Sequence, residues 1–262
     1  MTQALFGAAS DVGRVRELNE DCVLAQPPVF VVADGMGGHA AGEVAADLAR
    51  QRFAALAGRV DLKPEDVLDA VADANAAILA RSSEHSETAG MGTTLSGVCL
   101  GVVGGSPHWF VFNVGDSRVY RFADGVLRQI TVDHSEVEEL RAAGRITAEE
   151  ALVHPLRNVV TRSLGMDPPP VPDIWVLPVG DGDRFLICSD GLPLEVSAVE
   201  IVEVLSRAAP PQTTAEMLVR MAVDAGGRDN VSVVVVETPR SEVVPDADVS
   251  TAPRQGLSGG QR

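Results

Sequence analysis

At 262 residues the chain is long enough for one or two domains and for a sizeable core. It is 45% hydrophobic but only 4% aromatic, so aliphatic side chains must fill that core, and 22% charged residues exclude global disorder. The 37 acidic against 21 basic residues leave a net charge of −16, which argues against nucleic acid or an anionic membrane as partner and points instead to metal sites.

The N-terminal stretch lacks the basic and apolar regions of a signal peptide, and no apolar run reaches the roughly 18 residues of a membrane span. A cytoplasmic chain without a membrane segment is therefore expected. Short apolar runs predict strands at Val29–Ala33, Thr93–Val103, Trp109–Val114, Arg184–Cys188 and Val231–Val236. Between them, 3.6-residue periodicity predicts helices at Gly42–Leu56, Pro64–Arg81, Ser135–Ala143, Ala198–Ala208 and Thr213–Ala225. Strands in succession, without strict one-for-one alternation with helices, favour an α+β sandwich. The polar, helical stretch at 133–165 reads as a flap inserted in one domain of residues 1–237, and the aperiodic 238–262 reads as a disordered tail. Cys22, Cys99 and Cys188 form no CxxC pair and sit in apolar stretches, as reduced buried thiols do.

Several chemistries are excluded. No cysteine is followed six positions later by arginine, because Pro28, Gly105 and Leu194 stand there, so a cysteine phosphatase loop is absent. The only lysine, Lys63, follows Leu62 and so cannot complete a Walker A loop, and neither HExxH nor Gly-x-Ser-x-Gly occurs.

What remains is a set of aspartates at strand ends beside glycine: Asp34, Asp116, Asp190 and Asp229. Each alone reads as an ordinary turn. Gathered at one rim they would form a cluster of like charges that is unstable unless protons or cations neutralise it. Oxygen-only donors favour magnesium or manganese over zinc. Two such ions about 3.5 to 4 Å apart can activate water for in-line attack on a phosphate. Arg16, ahead of Asn19-Glu20-Asp21, offers a planar guanidinium for phosphate oxygens.

These residues fall into ordered motifs: Arg16-x-x-Asn19-Glu20-Asp21, Ala33-Asp34-Gly35-Met36-Gly37-Gly38-His39, Met91-Gly92-Thr93-Thr94, Gly115-Asp116-Ser117-Arg118, Asp133-His134-Ser135, His154-Pro155-x-Arg157-Asn158, Ser189-Asp190-Gly191 and Gly227-Arg228-Asp229-Asn230. The series resembles the bacterial form of the PPM, or type 2C, metal-dependent protein serine/threonine phosphatases. The resemblance implies an α-β-β-α sandwich, two central antiparallel sheets flanked by helices, with the metals in a cleft at one end. It further implies that Asp34 bridges two core magnesium or manganese ions, that the Gly35 carbonyl binds one of them, and that Asp190 and Asp229 complete the other. Glu20 and Asp21 would hold metal-bound waters, Arg16 would receive the phosphate, and Asp116 with Asp190 allows a third ion.

Met36 stands where some relatives carry a general-acid histidine, so His39 becomes the nearest candidate, against a loop-stabilising role. Asn230 either orients Asp229 or caps its turn. Thr93 and Thr94 read as strand packing, and His134 and His154 as structural. The expected function is removal of phosphate from phosphoserine and phosphothreonine in phosphoproteins, opposing a serine/threonine kinase, by a monomer. The alternative is a catalytically weak, metal-binding pseudophosphatase acting as a regulatory partner. A calcium-binding module would need an EF-hand loop, which is absent.

Overall fold

Strands that are apolar at every position can be buried on both faces, and this property organises the molecule. The computed structural model describes residues 4–37 and 41–239. Its strands are β1 (Leu5–Asp11), β2 (Asp21–Gln26), β3 (Val29–Met36), β4 (Gly92–Thr93), β5 (Leu95–Val103), β6 (Ser106–Val114), β7 (Arg118–Ala123), β8 (Val126–Gln129), β9 (Asp173–Pro178), β10 (Arg184–Cys188) and β11 (Val231–Glu237). Its helices are α1 (Ala41–Ala54), α2 (Pro64–Glu84), α3 (Glu136–Ala142), α4 (Ala148–Val153), α5 (Gly191–Glu195), α6 (Ala198–Ser206) and α7 (Pro211–Ala225). One sheet has the order β1-β11-β10-β7-β8 and the other β2-β3-β5-β6-β9, with β4 paired to the end of β3. These pairings are antiparallel.

Alternate residues divide each central strand between two cores. Val29, Val31 and Ala33 of β3 pack with Ala45, Ala49 and Phe53 of α1 and Val71 and Ile78 of α2, while Phe30 and Val32 join Trp109, Phe185 and Val234 between the sheets. In β11, Val231, Val233 and Val235 meet Leu192, Ile201 and Leu218 of α5 to α7. The result is the expected four-layer α-β-β-α sandwich. Each fully buried Val, Leu or Phe side chain here stabilises it by about 1.5–3 kcal/mol relative to exposure.

The flap differs in detail from expectation. The stretch 133–165 holds two short helices, separated by a turn at Gly144 with φ +66°. Ser135 is the N-cap of α3 and Thr147 begins a capping box with Glu150 at α4. Neither helix buries a residue. Thr238, assigned by the sequence to the tail, is buried and donates its hydroxyl to the Gly180 carbonyl at 2.8 Å; the rest of the expected tail from residue 240 lies outside the described residues. Cys99 and Cys188 are buried and Cys22 is half-buried, all three free. Among the described residues no helix is long and apolar enough to cross a membrane.

Candidate metal centre

Antiparallel pairing brings the ends of strands distant in sequence to one rim. Asp21 opens β2 and Asp34 lies near the end of β3, and the two are direct ladder partners. Asp190 follows β10 and Asp229 precedes β11; these strands are antiparallel neighbours, so both loops emerge at the same end. Asp116 follows β6 at that end as well. Together they border a cavity of about 610 Å³ whose wall includes Arg16, Glu20, Asp34, Gly35, Asp116, Asp190, Asp229 and Asn230. Asp21 is buried beside it. His39 lies outside the described residues.

Crowding and loss of water both oppose ionisation at this rim. Desolvation, reinforced by Asp21, Asp190 and Asp116, holds the Asp34 carboxyl well above its ordinary range. Burial also pushes Asp21 up to about 7, against opposing hydrogen bonds from Ser189 and Ser232. Asp116 rises to about 7, from burial and then the Asp190 charge, and Asp190 to about 6, from burial and then Asp229. Arg16 answers part of this charge: its Nη2 donates to Asp229 Oδ2 at 2.8 Å. The expected phosphate clamp is thus engaged with an expected metal ligand. Arg157 and Asn158 also line the cavity, and the Arg157 guanidinium has no ion pair among the described residues.

The donor set fits hard divalent cations in kind, being oxygen throughout. Asp21 Oδ1, buried and without a hydrogen-bond partner, is an acceptor that nothing among the described residues satisfies. The carboxylates stand along the wall rather than closing round a point, and among the described residues no group of three His, Cys, Asp or Glu forms a ready-made chelate. Gly35 is sterically required: a Cβ there would lie 2.2 Å from the Gly42 carbonyl oxygen and 2.6 Å from that of Glu20.

The supporting shell contains residues whose role the sequence did not reveal. Thr93 Oγ1 donates to the Asp34 carbonyl at 2.9 Å, and Thr94 Oγ1 accepts the Asp34 N–H at 2.9 Å. These threonines therefore anchor the Asp34 backbone as well as pack. Ser189 Oγ donates to Asp21 Oδ2 at 2.8 Å and accepts the Ser232 N–H at 3.0 Å. The available signal was a hydroxyl inside an otherwise apolar strand, since a buried hydroxyl needs a partner. Glu20 accepts the Gly42 N–H at 3.2 Å, in the first turn of α1. Asn230 resolves its two readings in a third way. Its side chain donates to the Val12 and Leu18 carbonyls and accepts the Glu20 N–H, tying down the Arg16 loop, while only its backbone N–H reaches Asp229. His154 caps α4 and accepts the Leu156 N–H.

Comparison with known proteins follows this geometry. The protein phosphatase 2C family matches residues 17–223. The serine/threonine protein phosphatase PstP of Mycobacterium tuberculosis is 42% identical over 243 residues, 88% of this chain and 44% of PstP. The serine/threonine phosphatase stp of Listeria monocytogenes is 34% identical over 249 residues, 91% of this chain and 97% of stp. The crystal structure of Mycobacterium tuberculosis PstP/Ppp superposes with a TM-score of 0.84 at 39% identity, over 90% of this chain and 99% of that one. A structure of the PstP catalytic domain in complex with two manganese ions gives 0.80 at 38% identity, over 90% and 98%. The chain spans 44% of the length of the mycobacterial relatives it matches.

Proposed function

The chain belongs to the protein phosphatase 2C family, and on that premise we propose that it is a metal-dependent protein phosphatase hydrolysing phosphoserine and phosphothreonine. The observation that carries the reading is the meeting of Asp34, Asp116, Asp190 and Asp229 on one cavity wall. In this reading Asp34, the Gly35 carbonyl, Asp190 and Asp229 would hold two cations, Asp34 shared between them, and Asp116 with Asp190 would hold a third. Magnesium or manganese ions, two of which the related PstP structure contains, would when bound lower the pKa of water for in-line attack on phosphorus and offset the phosphate's charge.

The chain's own residues do the remaining work. Arg16, 2.8 Å from Asp229, would grip phosphate oxygens beside that carboxylate with its planar fork. Arg157 offers a second guanidinium at the same wall. Thr93 and Thr94 keep the Asp34 backbone from shifting as the substrate arrives. The departing serine or threonine oxygen needs a proton; no histidine lines the cavity among the described residues, and His39, outside them, is the candidate acid that the sequence offers. Natural substrates would be phosphoproteins made by a serine/threonine kinase, met in the cytoplasm by a monomer. No observation favours the pseudophosphatase alternative, because every carboxylate that the family pattern asks for is present.

The test is phosphate release from a phosphothreonine peptide, with manganese and with chelator. Turnover should need the metal and stop on chelation; metal-independent turnover, or none with manganese, would refute the reading.

A further inference from the structure

The flap helices bury no side chain, so their placement depends on where the flap re-enters the sandwich. At that root Ser135 and Val160 form an antiparallel bridge. The Thr161 N–H donates to the His134 carbonyl at 2.8 Å, and the His134 N–H donates to the Gly115 carbonyl at 2.9 Å. The buried His134 ring adds a contact on each side. Its Nδ1 accepts the Gly115 N–H at 3.1 Å, which leaves the proton of the neutral ring on Nε2. Nε2 then donates to Asp173 Oδ2 at 3.1 Å. Asp173 Oδ1 also accepts from Arg162 Nη1 at 3.2 Å, on the chain returning from the flap. Arg162 Nη1 lies 3.2 Å from Nε2 too, a contact that the Nε2 proton makes non-bonding.

What each side carries gives these bonds a functional meaning. Gly115 has φ +109°, where a Cβ would meet the Thr94 side chain at 2.6 Å, and it directly precedes Asp116. Asn113 Nδ2 donates to the Gly115 carbonyl as well, at 3.0 Å, so the peptide units on both sides of Gly115 are held. The returning flap chain carries Arg157 and Asn158 to the cavity wall.

Building on the phosphatase reading, we infer that His134 is a positioning residue with two separable tasks. Through Nδ1 it fixes the loop that presents Asp116, and through Nε2 it fixes the flap root that presents Arg157 and Asn158 across the mouth. A side chain that merely filled space would not divide its effects between the two nitrogens.

Two near-isosteric variants separate the tasks. In His134→Asn the amide oxygen stands near the Nδ1 position and the reach to Asp173 is lost; in His134→Gln the amide stands near Nε2 and the Gly115 acceptor is lost. Backbone hydrogen exchange of the full chain, manganese binding by calorimetry, and kinetics on a phosphothreonine peptide and an aryl phosphate are measured together. His134→Asn should speed exchange in residues 156–164 and raise the peptide KM about fivefold, the equivalent of one ordinary hydrogen bond, with kcat and aryl phosphate turnover nearly unchanged. His134→Gln should speed exchange in residues 114–118 and weaken manganese binding about fivefold by the same reasoning. Equal effects of both variants on both segments, or no effect of either, would overturn the inference. An inactive wild type would count against the phosphatase reading alone, because the exchange pattern still decides the role of His134.

Discussion

Asp21 and Asp34 oppose each other across the first ladder of their sheet, Asp21 buried and Asp34 half-buried at the cavity wall. Opposed like charges destabilise a strand pair, and desolvation adds to that cost. The folded chain without cations therefore favours protonated carboxyls at this rim. Asp21 and Asp116 titrate at about 7 and Asp190 at about 6 in the fold, whereas unfolded aspartates titrate near 3.9. Between these limits the folded state binds more protons than the unfolded state, so raising the pH removes stability through this window. Urea unfolding in chelator should accordingly show a lower midpoint at pH 7.5 than at pH 5, and manganese should restore it. A midpoint that rises across that interval in chelator would show that the rim carboxylates are not held protonated.

At the scale of elements, the sandwich and the flap contribute stability differently. Phe185 of β10 is fully buried between the sheets, its ring centroid 5.2 Å from that of Trp109. Phe185→Ala should cost about 3–5 kcal/mol in urea unfolding. Leu152 on flap helix α4 is 76% exposed, and Leu152→Ala should shift stability by less than about 0.5 kcal/mol. Equal costs at both sites would contradict the layered assignment. This contrast also explains what the sequence revealed. Strands β3, β5 and β6 lie inside one sheet and β10 and β11 inside the other, and each carries the apolar run that reveals it in the sequence. Strands β7 and β8 carry Arg118, Arg121 and Arg128, and β1, β2 and β9 are edge strands with mixed burial, so none of them stands out as a continuous run. Helix α5 spans five residues, too few for a period to appear. The carboxylates were legible because each follows or precedes a glycine turn at a strand end. Their supports, Thr94 and Ser189, were not, because their partners Asp34 and Asp21 are 60 and 168 positions away along the chain, and only the strand register brings them together.

Across the whole molecule, a net charge of −16 would repel the anionic phosphoprotein that the proposed function requires. Screening over about 8–10 Å at physiological salt limits the repulsion at long range, so under the proposed function recognition would be won inside the cavity, where Arg16, Arg157 and bound cations would act at short distance. On that proposal the acidic composition and the site chemistry are connected: part of the excess negative charge would serve a cation site at Asp34, Asp116, Asp190 and Asp229, at the ends of four strands. The most direct measurement is calorimetric titration of manganese into the wild-type chain and Asp34→Asn, with thermal unfolding of both as a control for folding. The wild type should take up two or more ions, and the variant, still folded, should lose at least about 100-fold in affinity, because even groups that only support metal ligands contribute 10- to 100-fold. Unchanged manganese binding by a folded Asp34→Asn chain would contradict the assignment of this rim as the metal centre.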